Sequence, residues 1–145
     1  MVYGWRDYLR IYENQIVQAP FLQIVVQRHV MDCSVACLAM LLGKSYEDAL
    51  MAFDYNVMRE GATIRQVKAA AKYLGSPLVW SRKIGDLETD TGILCVRSAH
   101  WPNADHLVVL KDGLIVETDA TIWDQDVYMA AYEATPISIM RVEGA

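Results

Sequence analysis

Cys33 stands just before an apolar run, Val35 to Leu42, that Gly43 closes. Small, unbranched apolar residues there predict a buried helix, with Gly43 as its C-terminal stop. A thiol at the start of a helix sits among unpaired backbone N–H groups and at the positive end of the macrodipole, and both favour the thiolate. The thiolate is the form of cysteine that attacks a carbonyl carbon. His106 opens a second apolar run, His106-Leu107-Val108-Val109-Leu110. At the mouth of a strand, its imidazole can project into a cleft and serve as base to a thiol. Asp119 lies thirteen residues further on. Asp112-Gly113, between the runs 106–110 and 114–118, is a strong hairpin signal. Such a hairpin folds 119 back beside 106, where a carboxylate can accept the imidazole N–H and fix its tautomer. The three residue types together are those of nucleophilic hydrolysis: attacking thiol, base and orienting acid.

The remaining cysteines read differently. Cys37, one turn further into the helix among Ala and Leu, has the surroundings of a small core residue. Three cysteines (33, 37 and 95) are an odd number, and the first residues, MVYGWRDYLR, lack a signal-peptide pattern. A disulfide framework is therefore not expected, and the chain reads as cytoplasmic. His29, Cys33 and Cys37 are spaced four apart, but His29 precedes the helix and no Cys-x-x-Cys pair occurs. No metal and no cofactor are expected.

The elements that must position these residues follow from local signals. Tyr3, Trp5, Tyr8, Leu9 and Tyr12 have helical spacing, and Phe21 to Val26 reads as a short extended segment. Ser45, with Asp48 three residues on, opens a helix, as does Thr63 with Gln66, running to Gly75. After Pro77 the pattern changes to short β-type runs at 78–80, 92–96, 106–110 and 114–118. A further helix is expected over 126–134 and a last strand over 137–142. Helices followed by an antiparallel sheet make an α+β arrangement. No linker or repeat divides residues 1–145, which read as a single domain.

Composition excludes several classes. With 13 Lys and Arg against 18 Asp and Glu, the net charge is −5. A chain without a basic patch is a poor nucleic-acid binder. Apolar residues make up 54% of the chain, too many for a disordered one. The apolar runs also fall short of the ~18 residues of a membrane span.

The segment Gln27-Arg28-His29-Val30-Met31-Asp32-Cys33-Ser34-Val35-Ala36-Cys37-Leu38-Ala39-Met40 resembles the nucleophile motif of the bacteriocin-processing, double-glycine leader cysteine peptidases. That family belongs to the papain-like group. Gly61-Ala62-Thr63, the alanine-rich stretch ending in Leu74-Gly75, and His106 with Asp119 follow in the family's order. The resemblance implies a papain-like fold, its helical N-terminal half packed on a C-terminal antiparallel sheet. It makes Cys33 the nucleophile, His106 the general base, Asp119 the orienting acid and Gln27 the oxyanion donor. It further implies a peptide or protein substrate and a cleft for a Gly-Gly leader. With no span and no nucleotide-binding loop, a stand-alone enzyme is expected.

Two positions depart from the family's pattern: Ser34 where Gly is usual, and Ala120 where Pro is usual. They keep open a catalytically silent binding or inhibitory module, beside an amidase or deamidase using the same three groups. Trp101 reads as a cleft wall or equally as a plain surface-loop aromatic, and Trp123 as a shield beside the acid or as core packing.

Overall fold

A computed structural model describes residues 22–102 and 104–144. The expected helix at 3–12 lies outside them. Helix α1, Cys33–Leu42, forms where the small apolar run predicts it, and Gly43 ends it in the left-handed conformation at φ 66°. It is apolar all round because it is enclosed all round: Val35 to Ala39 are fully buried. One side meets α2, Tyr46–Met51; another meets the sheet. The Ser45 hydroxyl caps α2 by accepting from Asp48 N–H. Then come α3, Val57–Glu60, one short turn that its sequence does not announce, and α4, Ile64–Tyr73. A full capping box of Thr63 and Gln66 starts α4.

The sheet half holds β1 Leu78–Ser81, β2 Thr91–Ser98, β3 His106–Lys111, β4 Leu114–Val116, β5 Ile122–Asp124 and β6 Ala134–Val142, with α5, Gln125–Ala131, between the last two strands. Strand order is β1-β6-β2-β3-β4-β5, every neighbouring pair antiparallel. Pro136 sits on β6 opposite Val96, where the β2–β6 register shifts. An irregularity is where a strand tolerates a residue without an N–H. Side chains alternate between two covered faces. Cys95, Leu107, Val109 and Met140 pack with the helical half. Leu94, Val108, Ile115 and Ile139 pack with Trp123 and Tyr128.

Several local boundaries differ from those expected; the helix expected over 126–134, for one, ends at Ala131. Residues 23–28 belong to no helix or strand; their tie to the sheet half is Gln27 N–H to the Thr118 carbonyl, 2.9 Å. The strand expected over 114–118 ends at Val116. The chain then turns at once into the unforeseen β5, with Val116 facing Ile122 and Glu117 N–H bonded to the Thr121 carbonyl.

Candidate active site

Asp112 and Gly113 both have positive φ, 49° and 81°, as a two-residue hairpin loop with the twist of its strands requires. The hairpin pairs Val109 with Val116 and brings the two strands' open ends together. At one end is His106, the first residue of β3; at the other is Glu117, which follows β4 and continues the face of Ile115. His106 Nε2 and Glu117 Oε1 are 2.6 Å apart. The sulfur of Cys33, the first residue of α1, lies beside the same imidazole, close enough to raise its pKa. Since Nε2 is taken by the carboxylate, Nδ1 is the nitrogen left for the sulfur. Helix start and strand mouth thus meet as the sequence implies, and Cys33 is half-buried.

The carboxylate bonded to the imidazole is that of Glu117 and not that of Asp119. Extending the hairpin register past Val116 would set 119 opposite 106. The chain instead leaves the ladder at Glu117 and turns, with Ala120 at φ 74° and its N–H bonded to the Glu117 carbonyl. Asp119 ends exposed on that turn, its carboxylate accepting from the Thr121 N–H and hydroxyl. The sequence did carry a sign of Glu117: it is the acid in the apolar run Leu114-Ile115-Val116-Glu117, on the face of buried Ile115. The same turn explains Ala120, since φ near 74° is closed to proline.

Electrostatics follow the geometry. Burial by itself would lower the His106 pKa, but the Cys33 sulfur and the Glu117 carboxylate outweigh it and push the pKa up to about 10. Burial would raise the Glu117 pKa; the imidazole, the Tyr128 hydroxyl and the Thr118 N–H outweigh that and hold it below the ordinary carboxyl value. Tyr128 Oη donates to Glu117 Oε2 at 2.7 Å, and Thr118 N–H donates to Oε1 at 2.7 Å. Burial pushes Cys37 well up and raises Cys95 to about 11.

Gln27 is tied to this group through Thr118. Its side-chain carbonyl accepts from the Thr118 hydroxyl, and its Nε2 donates to the His29 carbonyl at 2.6 Å and weakly to Val30 at 3.4 Å. Asp32, before the nucleophile, is fully buried and accepts from the N–H groups of Arg28 and His29 and from the Tyr46 hydroxyl. It therefore fixes the loop that leads into Cys33. Ser34 is buried as well, and its hydroxyl has no partner among the described residues.

A cleft of 660 Å³ opens over Cys33 and His106. Val30 and Met31 line it with Gly61 to Ile64, and so do Trp101, Ala104, Asp105 and Leu107. The Trp101 ring lies 5.2 Å from the His106 ring. Trp123 is buried behind the pair, its ring against Tyr128 and Tyr132. Among the described residues no group of His, Cys, Asp or Glu side chains is placed to hold a metal ion, and no helix is long and apolar enough to cross a membrane.

The sequence profile of the Peptidase C39 family matches residues 22–113, so the match stops short of Glu117. Among solved structures, the peptidase domain of Streptococcus ComA, a bi-functional ABC transporter involved in a quorum sensing pathway, is similar at a TM-score of 0.55. The two are 17% identical, and the similarity covers 84% of this chain and 98% of that one. No curated protein matches the chain.

Proposed function

The chain belongs to the Peptidase C39 family of cysteine peptidases, and on that premise we propose that it cleaves a peptide bond through a Cys33 acyl-enzyme, with His106 as acid and base and Glu117 as the orienting carboxylate. The observation that carries this reading is a thiol beside an imidazole on the lining of an open cleft, with that imidazole bonded to a buried carboxylate. The Cys33 thiolate attacks the substrate carbonyl carbon, and the carbonyl π electrons move onto oxygen. The Cys33 backbone N–H and the Gln27 amide hold that oxyanion; the Val30 contact, at 3.4 Å, is the weak one that Gln27 gives up. As the C–N bond breaks, the amine leaves with the proton of His106. Neutral His106 then takes a proton from water, hydroxide attacks the thioester, and the carboxylic acid product departs as the thiol regains its proton-sharing state with the imidazole.

The substrate we propose is a peptide with a small-residue leader of the double-glycine kind. The likeness in fold to the peptidase domain of a quorum-sensing exporter supports that class. Iodoacetamide tests the thiol. At neutral pH, Cys33 should be carboxamidomethylated at least about tenfold faster than free glutathione. Cys37 and Cys95 serve as unreactive internal controls because burial raises both. Peptide mapping reads all three sites. Alkylation of Cys33 at the glutathione rate would overturn the reading and leave a silent peptidase-like binding module.

A further inference from the structure

We infer that Tyr128 is a positioning residue of this peptidase: by donating its hydroxyl to the outer oxygen of Glu117, it fixes the carboxylate that orients His106. The inference rests on the role proposed above for Glu117. A carboxylate can only accept, so the phenol is the donor in the 2.7 Å contact between Tyr128 Oη and Glu117 Oε2. Burial first, and then the Glu117 charge, push the phenol pKa above the usual tyrosine range, so it keeps its proton.

The need for such a group follows from which acid this chain uses. Glutamate has one more rotatable bond than aspartate. Its carboxylate must be held at both oxygens if it is to present one of them in a fixed direction. Oε1 takes His106 Nε2 and the Thr118 N–H. Oε2 would face apolar packing without Tyr128, at the cost of an unsatisfied buried charge. Tyr128 is itself fully buried, and its ring is fixed by Trp123 at 5.6 Å and Tyr132 at 4.8 Å between centroids. It lies on α5, beyond the segment that matches the family profile. The titratable groups facing Glu117 are His106 from β3, Tyr128 from α5 and Cys37 from α1; Cys33 faces His106, and Tyr132 faces Tyr128.

Proton NMR of the whole chain tests this without a substrate. The imidazole proton shared between His106 and Glu117 should appear at low field at neutral pH and vanish on acidification as Glu117 takes up a proton. In Tyr128→Phe the ring packing is kept, and the midpoint of that loss should rise by about one pH unit, the worth of one hydrogen bond to a charge. Replacing all eight tyrosines by 3-fluorotyrosine makes the phenol a stronger donor and should move the midpoint down. This second measurement keeps the test decisive if Tyr128→Phe does not fold. Glu117→Gln should lack the low-field proton at every pH. An unmoved midpoint in both tyrosine replacements overturns the role of Tyr128. A low-field proton that survives Glu117→Gln overturns the Glu117 assignment itself.

Discussion

At the scale of single residues, the chemistry rests on a division of labour between two acids two positions apart. Glu117 is buried and bonded to the imidazole; Asp119 is exposed and bonded to its own turn. Exchanging each for its amide separates them. Glu117→Gln removes the charge that holds the imidazolium, so hydrolysis should fall at least about a hundredfold. Its alkaline limb should also move from near the His106 value of about 10 toward the ordinary histidine range. Asp119→Asn should change the rate by less than about twofold, as is usual for an exposed side chain away from the reacting groups. Steady-state kinetics across pH, on a double-glycine leader peptide, reads both. Equal losses in the two variants would show that the turn and not the carboxylate matters.

The helices and strands show how much the sequence discloses and where it stops. Helices α1, α2 and α4 carry their own start and stop signals in Gly43, Ser45 and the Thr63–Gln66 box, so they were legible. The Asp112-Gly113 hairpin was legible for the same reason, and so was the meeting of Cys33 with His106. The turn at 117–121 was not. Strands β4 and β5 are three residues each, too short for a period to show. Their junction depends on Ala120 adopting φ 74°, a conformation no alanine advertises. Missing that turn displaced the acid from 117 to 119. Position 120 therefore offers a prediction at the scale of this element. Ala120→Gly should stabilise the chain by roughly 1 kcal/mol, because glycine takes positive φ without strain. Ala120→Pro cannot adopt the turn and should lower both Tm and activity. Thermal melts would contradict the account if the proline variant were the more stable one.

For the whole molecule, the site lies where the helical half meets the sheet: the two share one core on one face of the sheet, and a second core covers the other face. Cys33 comes from α1, while His106 and Glu117 come from the sheet's hairpin, and the charges of His106 and Glu117 contribute to the stability of the fold. Linkage fixes the sign at each end of the pH scale. The His106 pKa is raised from 6.5 to about 10, so its contribution is complete below 6.5 and is lost as pH rises towards 10. The Glu117 pKa is lowered from 4.5, so its contribution is complete above 4.5 and is lost as pH falls through the native value. Stability should therefore be greatest between these two ranges and decline on both sides. In His106→Ala the alkaline decline should flatten, because the group that releases its proton there is gone. Thermal unfolding from pH 4 to pH 10 measures it. An alkaline decline as steep in His106→Ala as in the natural chain would place the responsible ionisation elsewhere, and would separate the stability of the two halves from the chemistry performed between them.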